Sequence, residues 1–160
     1  MAAKLSPSYN YGCKMRQDRK AELDGSASHL VPRVRDFTDL QVWQLARNLR
    51  QEKYCLVRAL PTEERYALSR QFRRAATSIT ANIAEGFGRC SFQENIQFCR
   101  LARGSAYEIR DHLITAKDQG FLSDQDYHRI EILAQRVIQT LNGYIRSTKA
   151  RQKAESVAKL

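Results

Sequence analysis

From residue 62 to residue 160 the chain contains no proline; its three prolines are Pro7, Pro32 and Pro61. Proline removes a backbone donor and clashes with the preceding helical turn, so this long gap leaves helices free to run. Apolar residues in the same stretch recur at three- and four-residue steps, which line one side of a helix, and no alternating strand pattern competes. The spacing predicts four helices. The first begins at Thr38 or Asp39 and carries Val42, Trp43, Ala46, Leu49, Leu56 and Leu60 up to Pro61. Thr62 is expected to cap the second, with Glu63 and Glu64 in its first turn, where carboxylates suit the helix dipole. Its stripe is Leu68, Phe72, Ala75, Ile79 and Ile83, and Gly86–Gly88 end it. Ser91 caps the third, with Glu94 at capping-box spacing and a stripe from Phe92 through Ile96, Cys99, Ala102, Ala106 and Ile109 to Leu113. Ser123 caps the fourth, which carries Tyr127, Ile130, Ala134, Val137, Leu141 and Tyr144.

Helices of this length joined by short turns must neighbour one another in opposite directions. The expected fold is therefore all-α, an antiparallel up-down-up-down four-helix bundle over residues 37–148. Residues 1–36 are polar, show no sustained period and read as a flexible extension. Residues 149–160 read as a basic C-terminal tail that frays.

Charge narrows the partners. Lys and Arg number 27 against 17 Asp and Glu, a formal net charge of +10. Such an excess favours polyanions through counterion release. Cys13, Cys55, Cys90 and Cys99 form no C-x-x-C pair and have no histidine at ligand spacing, so reduced thiols in a cytoplasmic chain are expected and no metal site or cofactor is implied. No apolar run approaches the ~18 residues of a membrane span, and the N-terminus lacks the apolar core of a secretory signal. His29, His112 and His128 are scattered, and no nucleophile–base pair stands out, so no catalytic residue is assigned and no enzyme is expected.

Taking Phe72 as the centre of the second helix's buried face, Arg70, Arg73 and Arg74 fall on the far side. Three guanidiniums together suit phosphates, and the plainer alternative is a solvated face. Arg89, Arg100, Arg103 and Arg110 extend the candidate nucleic-acid contacts. Arg103, Arg110 and Lys117 repeat every seven residues in one line beside the third helix's core; they could pair with Glu85, pair with another chain, or line a basic channel. Gln71, Ser78, Asn82, Glu85 and Arg89 flank the second helix's core with small or hydrogen-bonding groups. That flank reads either as a site or, preferably, as a hydrogen-bonded seam against the third helix or a neighbouring subunit. Gly104 and Ser105 would permit the close approach. Phe98 and Leu101 on the third helix, with Ile132 and Ile138 on the fourth, lie off the core stripes and suggest subunit contact.

Three segments carry a family resemblance: "DFTDLQVWQLA", "ALPTEERYALSRQFRRAATSITANIAEGFGR" and "FCRLARGSAYEIRDHL". In order and spacing they resemble the four-helix-bundle proteins of 23S ribosomal RNA gene intervening sequences, a family related to the accessory variability determinant proteins of diversity-generating retroelements. The resemblance spans about residues 36–148. It implies a closed homo-oligomer, typically a pentamer, with basic surface and nucleic-acid binding, and no enzymatic activity. The function expected is thus a homo-oligomeric bundle binding RNA or DNA, phosphate-dominated and weakly sequence-specific. The alternative is a protein–protein adaptor, such as an accessory subunit of a reverse transcriptase in a retroelement.

Overall fold

The computed structural model describes residues 34–64, 67–89 and 91–158. They form a 3-10 turn at Phe37–Asp39 and four α-helices: α1 (Gln41–Ala59), α2 (Leu68–Gly88), α3 (Phe92–Asp118) and α4 (Asp124–Val157). Each helix packs on its sequence neighbours, and α1 closes the ring on α4. Direction is read from paired residues. Along α2 and α3, Phe72 meets His112, Arg74 meets Glu108, and Ser78 meets Ser105, one number rising as the other falls. Along α3 and α4, Arg103 meets Asn142, Arg110 meets Glu131, and Lys117 meets Asp124. The fold is an antiparallel up-down-up-down bundle.

The helix ends show which local signals prevail. Ser91 Oγ accepts from the Glu94 backbone N–H, and Ser123 Oγ accepts from that of Asp126, so both serines cap as their spacing requires. Gly120, at φ 71°, follows α3 in a left-handed conformation. Its N–H reaches Lys117 O while Phe121 N–H reaches Ala116 O, satisfying carbonyls that the helix end leaves open.

The first two starts differ from expectation. Asp36, not Thr38 or Asp39, caps the entry, and it closes a 3-10 turn: its side chain accepts from Thr38 N–H while Asp39 reaches back to Asp36 N–H. α1 then begins at Gln41. Thr62 does not cap α2; Glu64 N–H turns back to the Pro61 carbonyl, and the helix starts only at Leu68. At the other end, α4 continues to Val157, so residues 149–157 are helical where a fraying tail was expected. The expected flexible extension lies outside the described residues up to position 33.

The core is the predicted stripes drawn together. Phe72, Ile79 and Ile83 of α2 meet Ile109 and Leu113 of α3, Ile130 and Leu141 of α4, and Val42 and Leu56 of α1, all fully buried. Each such side chain contributes about 1.5–3 kcal/mol of apolar burial. Trp43 sits at the margin, edge-on to Phe37 at 5.2 Å. Ile138 belongs to this core, correcting its assignment to an outer face: at 6% exposure it packs inward as part of α4's wide buried side. Among the described residues no helix is long and apolar enough to cross a membrane.

Candidate nucleic-acid interface

The candidate arginines fall into two groups according to what they touch. Arg70 and Arg73 are exposed on the outer face of α2 and meet no carboxylate among the described residues. Arg74 is exposed beside them, but it forms an ion pair with Glu108 of α3 and donates through Nε to Gln71. Arg100 is exposed on α3 and, among the described residues, reaches only Gln97 Oε1, at 3.4 Å.

The remaining three are engaged by partners within the chain, Arg103 and Arg110 half-buried and Arg89 exposed. Arg89 donates to Glu85 Oε1 at 2.6 Å, lies 3.5 Å from Glu94 and sits over the Phe98 ring at 5.1 Å. The hydrogen bond to the Glu85 carboxylate makes the Arg89 guanidinium hold its proton more firmly than usual. The seven-residue line of Arg103, Arg110 and Lys117 faces α4 throughout. Arg103 donates to Asn142 Oδ1 at 2.7 Å, Arg110 to Glu131 Oε1 at 2.7 Å, and Lys117 lies 3.1 Å from Asp124 and over the Tyr127 ring. None of the three pairs with Glu85, which is exposed and taken by Arg89.

The α2–α3 flank is a hydrogen-bonded seam within one chain. Ser78 Oγ and Ser105 Oγ are 2.9 Å apart, and Asn82 Nδ2 donates back to Ser78 Oγ and to the Ser78 carbonyl. Half-buried hydroxyls and an amide satisfy one another here, as buried polar groups must. Glu85 stands outside that seam. The close approach also differs from expectation: it occurs at Gly86, where an added Cβ would lie 2.8 Å from Phe98 Cβ, whereas Gly104 faces open space. Phe98 is accordingly half-buried against α2 rather than on an outer face.

The large apolar residues exposed among the described residues are Leu101, Tyr107 and Ile114 on α3 and Ile132 and Val157 on α4, each between 45% and 64% exposed. Tyr107 and Ile114 were missed in the sequence because they sit seven residues apart on a flank rather than on a stripe of their own. His112 is half-buried, edge-on to Phe72 at 5.4 Å, and His128 lies against Tyr127; His29 is outside the described residues. Among the described residues no cluster of three His, Cys, Asp or Glu could hold a metal. Cys99 is fully buried, and burial pushes its thiol up to about 12. Cys13 and Cys90 lie outside the described residues.

No curated protein matches the chain. Among solved structures it is similar to a protein of unknown function from the S23 ribosomal protein family of Bacteroides thetaiotaomicron, with a TM-score of 0.61 at 22% identity, covering 65% of this chain and 97% of that one. At that identity the likeness supports the bundle fold. The family model described as 23S rRNA-intervening sequence protein matches residues 38–143, from the turn before α1 to the third quarter of α4. This chain belongs to the 23S rRNA-intervening sequence protein family.

Proposed function

We propose that this protein is a non-enzymatic bundle that assembles with itself and binds RNA or DNA through basic surface. The observation that carries the reading is the outer face of α2. Arg70 and Arg73 project there and meet no carboxylate among the described residues, and the helix's one acid, Glu85, lies at its far end and is occupied by Arg89. Unpaired guanidiniums on a rigid helix bind phosphates bidentately while reading no bases, so affinity is phosphate-dominated and sequence preference weak. The overall charge of +10 adds long-range attraction. Self-association is supported by the large apolar side chains exposed on the bundle surface, Leu101, Tyr107 and Ile114 of α3 and Ile132 of α4.

The test is fluorescence anisotropy with structured RNA and matched duplex DNA at several salt concentrations, on protein whose oligomeric state is set by light scattering. Log affinity should fall linearly with log salt, and Arg70→Ala/Arg73→Ala should reduce the slope by about 1.8 on duplex DNA, roughly 0.9 per lost phosphate contact. Absence of binding at low salt would overturn the reading and turn attention to a protein partner such as a reverse transcriptase.

A further inference from the structure

The charge on the α3–α4 face is distributed unevenly along its length. Toward the α3–α4 turn, every cation meets an acid: Arg110 pairs with Glu131, Lys117 with Asp124, and Arg129 with both Asp126 and Glu52. Toward the other end acidic residues become sparse on both helices. Between Glu94 and Glu108, α3 carries no acidic residue and holds Arg100 and Arg103. Between Glu131 and Glu155, α4 carries none either and holds Arg136, Arg146, Lys149 and Lys153 among its cations. The antiparallel register lays these two acid-free stretches side by side, with Arg103 against Asn142 fixing the alignment. That contact is a hydrogen bond to a neutral amide, so the Arg103 charge is not cancelled by it.

The same end contains a groove of about 880 Å³, lined by Gln93, Glu94, Gln97 and Arg100 of α3 and by Lys149 and Gln152 of α4. Its one carboxylate, Glu94, is turned toward Arg89. Arg100 has only the weak contact with Gln97, and Lys149 meets no carboxylate among the described residues. The lining therefore offers two cations and three side-chain amides from two helices, held on rigid elements around a space large enough for a nucleotide. Guanidinium and ammonium groups with amide donors are what a phosphate oxygen cluster needs.

We propose that this groove is a phosphate-binding site, with Arg100 and Lys149 as its cations, and that it seats a backbone phosphate of a bound nucleic-acid strand. The identification of the strand rests on the function proposed above; the phosphate chemistry of the groove does not. A strand anchored here continues along the acid-free face of α4, past Lys153 or toward Arg146, rather than across the neutralised end near Glu131. The phosphate contacts of this face are then distinct from those of Arg70 and Arg73 on α2.

Two measurements on the full chain test it. The first is thermal stabilisation by inorganic pyrophosphate at constant ionic strength, since a ligand that binds the folded state raises the melting temperature saturably. The wild type and Arg70→Ala/Arg73→Ala should both show a saturable rise, and Arg100→Ala/Lys149→Ala should lose it. Both substituted side chains are exposed, so the fold is retained, and circular dichroism checks that. The second is anisotropy with a single-stranded RNA oligonucleotide at fixed salt. Arg100→Ala/Lys149→Ala should weaken binding on the order of 10–100-fold, as expected for two charge-assisted contacts, and Arg100→Lys/Lys149→Arg should restore most of it. No saturable pyrophosphate effect in the wild type, or an equal effect in Arg100→Ala/Lys149→Ala, overturns the groove. RNA binding unchanged by Arg100→Ala/Lys149→Ala overturns the strand assignment while leaving nucleic-acid binding in place. A pyrophosphate effect that requires Arg100 and Lys149, with no RNA or DNA binding at any salt, sinks the proposed function instead and marks the groove as a site for a small phosphate ligand.

Discussion

A Cβ built on Gly86 would stand 2.8 Å from Phe98 Cβ and 3.3 Å from the Asn95 carbonyl oxygen, so α2 and α3 touch here with no room for a methyl group. The obstacle includes backbone, which cannot rotate away. Gly86→Ala should therefore destabilise the bundle by about 1–3 kcal/mol, the usual cost of overpacking, despite alanine's better helix propensity. Gly104 supplies the control. It is also mid-helix, but its added Cβ would meet nothing, so Gly104→Ala should stabilise by up to about 1 kcal/mol. Urea midpoints of the two variants read the contrast directly. A neutral Gly86→Ala would show that α2 and α3 separate easily, and a destabilising Gly104→Ala would place another chain against the outer face of α3.

The α3–α4 seam depends on Glu131, which is 8% exposed and receives both Arg110 and Gln135 on one oxygen. Removing it leaves the Arg110 guanidinium, 31% exposed, without its counter-charge in a partly dry groove. Breaking a buried pair from one side costs about 3–5 kcal/mol, and the partial exposure of Arg110 lowers the expectation to about 2–3 kcal/mol for Glu131→Ala. Arg110→Met/Glu131→Met should recover most of that loss, because the apolar pair brings no unpaired charge. Failure of the double variant to recover would mean that the seam contributes through its hydrogen bonds to Gln135 rather than through charge cancellation.

Cys99 lies in the core with its thiol raised by desolvation alone to about 12. The thiolate is the reactive form, so alkylation of Cys99 in the native protein at pH 8 should run on the order of 10³-fold slower than at an ordinary free thiol. Mass spectrometry of the Cys99 peptide after iodoacetamide treatment, with and without urea, measures this. Rapid native labelling would reveal local opening of α3 against α2.

The bundle was legible in the sequence because its helices are long and their stripes regular. The caps Ser91 and Ser123 were legible too, since each acts within its own turn. What failed were judgements that depend on register between helices. The line of Arg103, Arg110 and Lys117 was visible as a line, yet nothing in one helix says that Asn142, Glu131 and Asp124 stand opposite it. Likewise Gly86 looked like a helix terminator because Gly88 follows two residues later, and only the position of Phe98 on α3 gives it a packing role. Ile138 seemed displaced from a narrow stripe, but a helix packed on two neighbours buries a wider face than its central row. The late start of α2 had no clear signal: Thr62, Glu63 and Glu64 carry every local mark of a helix entry, and the turn back to Pro61 overrides it.

The entry to α4 makes stability depend on acid. The Arg129 guanidinium, and then Ser123 Oγ, hold the Asp126 carboxyl below its usual range. Arg129 is in turn held protonated, chiefly by Asp126 and next by Glu52 of α1, so the cap also ties α4 to α1. A carboxyl with a depressed folded pKa contributes stability that is fully present above its unfolded value, near pH 4, and is lost as pH falls through the folded value. Melting temperatures of the wild type and Asp126→Asn, followed from pH 7 to pH 2, should therefore lie apart at neutral pH, with the wild type higher, and converge below pH 4. Asp39, lowered by backbone N–H groups of Arg35 and Asp36, should behave in the same sense at the entry to α1. A gap between wild type and Asp126→Asn that persists unchanged to pH 2 would mean that the side chain stabilises α4 by its shape and hydrogen bonding alone, and that its charge is immaterial.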